Sequence, residues 1–224
     1  MRVAALEGHR IWSATYDDAP NPLLSLEARV LSGSLGPWES RRFVDVGCGT
    51  GRWMAYAKAR GARVSGVDLC LEMVLRAAGK PGLGGHLALG SAEFLPFGSG
   101  VADLVLCSFA LGYMPDAPAA IREMARICDR GGRVVVSDLH PDAARAGWKR
   151  AFRAGDSAYE IEHFPHPTAA LLEAASGTTL RLDSTAAVRF GEPERAIFAR
   201  AGKEHVFDEA IRVPAIWIGI WTKV

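Results

Sequence analysis

Short runs of apolar residues recur along this chain, and most are followed by a stretch in which apolar residues fall at helical spacing. The runs predict buried strands at residues 43–46, 63–68, 101–108 and 133–138, and residues 53–59 predict a helix after the first of them. Strands that alternate with helices are typical of an α/β fold, in which helices cover both faces of a doubly wound, mostly parallel sheet.

Capping residues mark several helix boundaries. Asn21 before Pro22 predicts a helix start, because Asn caps helices well and proline fits their first turn. Asp116 predicts the start of another helix, whose apolar spacing continues to Cys128. The two glycines at 131–132 then predict the end of that helix before the next strand.

The chain beyond residue 138 contains a stretch that a plain doubly wound sheet does not require. Two runs at 148–153 and 158–164 flank the turn-forming residues 154–157, which predicts a β-hairpin. An insertion here lies over the carboxyl ends of the strands, so residues 140–166 are predicted to form a substrate lid. The remaining patterns predict two helices, at 167–175 and 193–201, and two strands, at 178–190 and 215–222.

Length and composition narrow the class of protein. With 224 residues, 49% of them hydrophobic, the chain is predicted to form one domain over residues 1–224, with an N-terminal arm at 1–38. The net charge is +1 without a basic block, so nucleic acid is not an expected partner. Four widely spaced cysteines favour reduced thiols of a cytoplasmic protein over a metal site. No segment predicts a signal peptide or a membrane span.

The most informative segment carries Asp45 and three alternating glycines, Gly47, Gly49 and Gly51, directly before a helix. A glycine turn at a helix N-terminus lets a ligand approach the backbone closely, as nucleotide-like cofactors do. A dinucleotide site would require Gly-x-Gly-x-x-Gly, and Arg52 stands at its third glycine position. A nicotinamide cofactor is therefore disfavoured.

Asp68 ends the second predicted strand. A carboxylate at the tip of a strand can accept hydrogen bonds from both hydroxyls of a ribose. We therefore predict that Asp68 binds a ribose, whichever class of cofactor the glycine turn serves.

These motifs, taken in order, resemble those of class I S-adenosylmethionine (SAM) dependent methyltransferases. The acid before the glycines matches motif I, and residues 90–97 are similar to the family's Asp-Ala-Glu-x-Leu-Pro-Phe segment beside adenine, with Ser91 in place of the aspartate. The resemblance covers residues 41–138 closely. It implies a Rossmann-like, seven-stranded sheet with an antiparallel last strand, SAM as the cofactor and S-adenosylhomocysteine as its product.

The resemblance also implies a cofactor site. In this family the strand acid faces the methionine end of SAM and the glycine turn passes beneath the ribose, while a Tyr-Asp arm similar to the one around Tyr16 folds over the cofactor. The implied cofactor residues are Tyr16, Asp45, Gly47, Cys48, Gly49, Gly51, Asp68, Leu69, Ser91, Ala92, Glu93 and Ser108.

In-line transfer of a methyl group requires a nucleophile held behind the methyl carbon, exclusion of water, and a base when the nucleophile carries a proton. His140, directly after the fifth predicted strand, is the first candidate for that base, and His163 on the predicted lid is the second. Tyr113 is predicted to form a wall of the substrate pocket. The expected substrate is a small molecule.

Two other function classes remain open. A nicotinamide-dependent oxidoreductase would bind NADH rather than SAM, although the chain lacks a Tyr-x-x-x-Lys pair as well as the third glycine. A SAM-binding regulatory or scaffold protein without catalysis is favoured only by Ser91. Binding of SAM or NADH separates the two enzyme classes, and methyl transfer from labelled SAM tests the scaffold.

Overall fold

In the computed structural model, which describes residues 1–224, strands and helices alternate along most of the chain. The strands are β1 (Arg2–Val3), β2 (Arg42–Val46), β3 (Arg63–Asp68), β4 (Leu87–Leu89), β5 (Ala102–Ser108), β6 (Cys128–Leu139), β7 (Ala151–Ala154), β8 (Ser157–Ile161), β9 (Leu180–Val188) and β10 (Ile216–Lys223). The helices are α1 (Ala5–Trp12), α2 (Pro22–Leu31), α3 (Arg52–Lys58), α4 (Leu71–Ala78), α5 (Ala117–Ile127), α6 (Pro141–Arg145), α7 (Thr168–Ser176), α8 (Glu192–Arg200) and α9 (Phe207–Ala210).

Seven strands form the main sheet, in the spatial order β4-β3-β2-β5-β6-β10-β9. Strands β2 to β6 pair in parallel, whereas β10 lies antiparallel between β6 and β9. The predicted doubly wound, seven-stranded sheet with an antiparallel last strand is thereby confirmed. The carboxyl ends of β2, β3 and β5 meet at one edge, which places the loops after these strands side by side.

Helices cover both faces of this sheet. Along β5, Leu104 and Leu106 belong to one hydrophobic core, and Val105 and Cys107 belong to the other. Because alternate side chains of a strand point to opposite faces, a strand segment that is buried on both sides is mostly apolar. Helices α2, α3 and α8 pack on the first face, and α5 and α7 pack on the second. None of the helices combines the length and apolar character needed to cross a membrane.

The boundary between α5 and β6 differs from the prediction. The helix ends at Ile127, and Cys128 already pairs with Ala102 of β5. The next pair is Leu104 with Arg133, so residues 129–132 bulge out of the ladder. Apolar spacing could not show this boundary, because a buried residue at position 128 is consistent with a longer helix and equally with the start of a strand.

The hairpin predicted after the fifth strand is confirmed as β7 and β8, which are joined across Gly155. The N-terminal β1 adds to β8 in parallel, pairing Val3 with Ile161, and these three strands form a second, small sheet. Helix α1 then packs on this sheet at Gly8, where a β-carbon would lie only 2.8 Å from Ile161. The hairpin therefore supports the N-terminal arm.

Candidate active site

A cavity of about 350 Å³ opens at the carboxyl ends of β2, β3 and β5, within the size range of small-molecule sites. It is lined by the glycine turn, the end of β3, the loop after β4, the residues after β5, and the N-terminal arm. Of the predicted cofactor and substrate residues, the structure brings these to the wall: Tyr16, Gly47, Gly49, Asp68, Leu69, Ser91, Ala92, Glu93, Ser108 and Tyr113.

The glycine turn requires its glycines for two different reasons. Gly47 has φ +70°, and a β-carbon there would lie 2.4 Å from that of Ala110, so the residue allows two loops to touch. Gly49 has φ +54°, a conformation that residues with a side chain rarely adopt. A β-carbon on Gly49 would meet no protein atom within 4 Å. A side chain there would therefore occupy space that the fold leaves open for a ligand.

Asp68 joins the glycine turn to the tip of β3. Its Oδ2 accepts the N–H of Gly49 at 2.8 Å, and its Oδ1 accepts the N–H of Cys70, also at 2.8 Å. Burial raises the pKa of the Asp68 carboxyl, and these two N–H donors oppose the rise. Each carboxylate oxygen keeps a second acceptor position, so Asp68 can still take hydroxyl donors from a ligand.

Three of the predicted cofactor residues do not reach the cavity wall. Cys48 is buried against Gly66, and Gly51 faces Leu83, to which a β-carbon would come within 2.9 Å. Asp45 is 2% exposed, and burial raises the pKa of its carboxyl to about 7. These three residues are buried beneath the glycine turn, on the side away from the cavity. Direct contact between them and a cofactor stays a prediction.

A buried polar network beside the cavity was missed by the sequence analysis. Glu27 of α2 is fully buried and accepts hydrogen bonds from Arg52, Ser137, Ser108 at 2.7 Å and Trp53 at 3.1 Å. Such a charge is stable in the interior only when several donors surround it. The network holds α2 across the ends of β5 and β6. The one signal in the sequence was an acid within the apolar face of a predicted helix.

The arm that carries Tyr16 is tied to the glycine turn. Asp17 accepts a hydrogen bond from the hydroxyl of Thr50 at 2.7 Å and forms an ion pair with Lys80 at 2.8 Å. Burial raises the pKa of Tyr16, so its phenol is neutral where it lines the cavity. His9 of α1, which the sequence analysis did not single out, lines the same cavity beside Tyr113.

The structure does not bring the predicted bases to this cavity. His140 caps α6, where its Nδ1 accepts the N–H of Asp142 at 3.1 Å, and it lines neither of the two main cavities. His163 lines a second cavity of about 20 Å³, enough for about one water molecule. His166 lines that cavity as well, and its Nε2 donates to the carbonyl of Met114 at 2.9 Å.

Arg150 lies between the two cavities and is almost completely buried. Its guanidinium pairs with Asp138 and donates to the carbonyl of Phe109 at 3.2 Å and to the hydroxyl of Tyr113 at 3.3 Å. Two cations thus lie close to the larger cavity, and both are paired, Arg150 with Asp138 and Arg52 with Glu27. No Lys or Arg lines the larger cavity, whose charged residues are Asp68 and Glu93.

Comparison with known proteins agrees with this geometry. Residues 44–136 match the model of a family described as a methyltransferase domain. The chain is 28% identical to the biotin biosynthesis bifunctional protein BioHC of Cellvibrio japonicus, over 68% of this chain and 30% of that protein. It is 32% identical to the malonyl-[acyl-carrier protein] O-methyltransferase of Serratia marcescens, over 57% of this chain and 49% of that protein. The chain thus spans about half or less of the length of these relatives.

A solved structure shares the whole fold. The crystal structure of an S-adenosylmethionine dependent methyltransferase from Mesorhizobium loti superposes with a TM-score of 0.70 at 21% sequence identity. The match covers 92% of this chain and 99% of that one. The additional strands and helices outside residues 44–136 therefore follow the same architecture.

The residues of the larger cavity fit SAM. SAM carries a positive sulfonium, a positive ammonium and a negative carboxylate, so its net charge is positive, and it has a ribose with two hydroxyls. The acidic groups of this wall, the free acceptor positions of Asp68 and the open space over Gly49 suit such a ligand. Residues 44–136 thus match the family described as a methyltransferase domain, and the chain has the fold of solved methyltransferases that use S-adenosylmethionine.

Proposed function

We propose that this protein transfers a methyl group from SAM to a small-molecule acceptor bound in the larger cavity. The observation that carries the proposal is the contact between the Gly49 N–H and Asp68 at 2.8 Å. That contact joins a glycine turn with open space above it to a carboxylate that retains free acceptor positions, at the edge of the sheet where doubly wound folds bind ligands.

In this proposal, different residues of the chain bind different parts of the cofactor. Asp68 accepts the ribose hydroxyls, and residues 91–93 lie beside the adenine. Asp45, buried behind the turn, lies toward the methionine end. Bound SAM supplies a methyl group activated by a sulfonium, so the protein has to orient an acceptor and exclude water. Tyr16 and Tyr113 on the wall serve that exclusion as neutral phenols.

The charges of the cavity favour a neutral or cationic acceptor. A carboxylate held close to a reacting centre is usually paired with Arg or Lys. Here no such residue lines the wall, and Arg150 is already paired with Asp138. The relative from Serratia marcescens is named a malonyl-[acyl-carrier protein] O-methyltransferase. A malonyl carboxylate would have no unpaired Lys or Arg to bind in this cavity. The proposed acceptors are therefore limited to small molecules whose reacting group is not acidic.

Calorimetry with SAM, S-adenosylhomocysteine and NADH tests the cofactor. We expect the first two to bind and NADH not to bind. Transfer of label from methyl-labelled SAM into the small-molecule fraction of a cell extract tests the reaction. Binding of NADH alone would support an oxidoreductase, and binding of SAM without any transfer would support a regulatory protein.

The base role predicted for His140 forms no part of this proposal, because its Nδ1 is used to cap α6.

A further inference from the structure

His9 lines the wall of the larger cavity. It lies on α1 and meets the ring of Tyr113 edge to face, with ring centroids 4.5 Å apart. Both residues line the cavity. The histidine is thus held beside Tyr113, the residue predicted to form a wall of the substrate pocket.

The backbone settles which ring nitrogen of His9 carries the proton. Nδ1 lies 2.8 Å from the carbonyl oxygen of Ala5, one helical turn earlier. A carbonyl oxygen only accepts, so Nδ1 has to be the donor, and in the neutral ring the lone pair is on Nε2. The buried polar atoms that lack a partner are Arg150 Nε and Trp217 Nε1. The Nε2 of His9 has no partner and is not one of these atoms, so it is not fully buried, and the residue lines the cavity.

The surroundings of His9 keep the ring neutral at neutral pH. Burial lowers the pKa of His9, and the positive charge of Arg150 lowers it further. The carboxylate of Asp68 and the hydrogen bond to Ala5 act in the opposite direction, but burial is the larger effect. Tyr113, the titratable group in direct contact, is itself kept neutral by burial. A neutral imidazole with a free Nε2 is able to accept a proton.

We infer that His9 is the catalytic base of this site and that the acceptor is a small molecule with a neutral hydroxyl as its nucleophile. This inference rests on the proposed function. The acceptor hydroxyl loses its proton to Nε2, and its oxygen forms the new bond to the methyl carbon. The sulfur–carbon bond breaks, and its electron pair stays on the sulfur, which becomes a neutral thioether. The proton on Nε2 then passes to solvent.

Other groups in or near the cavity are less suited to this role. Tyr16 and Tyr113 are neutral phenols whose pKa values are raised by burial, so they do not take up protons at neutral pH. His140 and His163 do not line the cavity. An already ionised acceptor would need no base, but it would meet an acidic wall without Lys or Arg.

The test compares wild-type protein with His9→Gln and with His205→Gln, a control at an exposed histidine. Gln keeps a donor for the Ala5 carbonyl but takes up no proton. With labelled SAM and the small-molecule fraction of a cell extract, His9→Gln should lower the initial rate by about 10²- to 10⁴-fold. SAM affinity, measured by calorimetry, should remain that of the wild type. His205→Gln should change neither quantity.

Two further measurements separate catalysis from packing. The wild-type rate should fall as pH drops through the pKa of His9 and reach a plateau above it, whereas the rate of His9→Gln should keep rising with pH. The ¹⁵N shifts of the imidazole in the S-adenosylhomocysteine complex should show a protonated Nδ1 and a bare Nε2.

Full activity of His9→Gln, equal losses of rate and SAM affinity, or a proton on Nε2 would each overturn the inference. Each of these results would leave the proposed function standing. Failure of the wild-type protein to transfer any label would defeat the proposed function, and the inference with it.

Discussion

The indole of Trp12 in α1 lies face to face with the ring of Phe152 in β7, with centroids 4.8 Å apart and planes inclined by 5°. Helix α1 contributes His9 to the larger cavity, whereas no residue of the hairpin lines that cavity. The hairpin predicted as a lid thus packs behind the helix that forms the wall. We expect it to influence the acceptor through the position of α1 rather than by contact.

Removal of this contact should loosen α1. Phe152 is 7% exposed, and Phe152→Ala is expected to lower the free energy of unfolding by about 3 kcal/mol, because a buried ring leaves a cavity. Hydrogen exchange of the α1 amides should accelerate more than that of β5. Phe164→Ala is the control, since Phe164 is 44% exposed. Unchanged exchange in α1 would show that the helix does not depend on the hairpin.

A side chain at Gly49 should block the cofactor. Gly49→Val places the side chain in open space that we assign to SAM, and it also strains a left-handed residue. Gly85→Val is a matched control, because Gly85 has φ +82°, equally open space and no contact with the cavity. Both variants should lose about 1–2 kcal/mol of stability. Only Gly49→Val should lose SAM binding by calorimetry, and equal binding by both would contradict the site.

Loss of the Asp68 carboxylate should weaken SAM. Hydrogen bonds to a charged group are each worth about 1.5–3 kcal/mol, so Asp68→Ala should raise the Kd of SAM by roughly 10- to 150-fold. Asp116→Ala removes another capping carboxylate, at the start of α5, without touching the cavity. It should cost about 1 kcal/mol of stability and leave SAM affinity unchanged. A wild-type Kd for Asp68→Ala with an intact circular dichroism spectrum would disprove the ribose assignment.

Asp45 should make stability depend on pH. Burial raises the pKa of its carboxyl to about 7, well above the ordinary value of an aspartate. Between that ordinary value and pH 7, the folded protein therefore retains a proton that the unfolded chain has lost. Stability from this group should therefore fall as pH rises toward 7 and stay constant above it. Asp45→Asn should remove that slope and should be more stable than wild type by at most about 4 kcal/mol at pH 8.

Urea unfolding at a series of pH values measures this difference. Asp18→Asn, a substitution at an exposed carboxyl, serves as the control and should follow the wild-type curve. Parallel curves for wild type and Asp45→Asn would mean that Asp45 is ionised throughout the range in the folded protein.

Glu27→Ala should be strongly destabilising. It leaves Arg52, Ser108 and Ser137 without the carboxylate that they share, and loss of one partner of a buried ion pair costs about 3–5 kcal/mol. Because Arg52 keeps some contact with solvent, the lower end of this range is expected. Glu39→Ala, at an exposed residue, is the control for denaturant unfolding. A loss below about 1 kcal/mol would show that the network does not hold α2 in place.

The sequence by itself determined the features that depend on local spacing. The nearly continuous apolar run at 101–108 indicated a strand covered on both faces, and residues 63–68 indicated a short strand that ends in an acid. Strands β5 and β3 follow these ranges within one residue. The glycine turn and Asp68 were identifiable because a strand, a tight turn and a helix follow each other without interruption. The caps at Asn21 and Asp116 were recognisable for the same reason, and both side chains accept the predicted backbone N–H groups.

Only the tertiary structure decided which side chains complete the cavity. Glu27 meets Ser137 across 110 positions of the chain, and His9 meets Tyr113 across more than a hundred. His140, placed correctly after a strand, is turned away because its ring caps the next helix. Contacts of this kind depend on how helices dock on the sheet and on which hydrogen bonds each ring makes. Local hydrophobic spacing encodes that a residue is buried, but it does not encode which distant residue it meets.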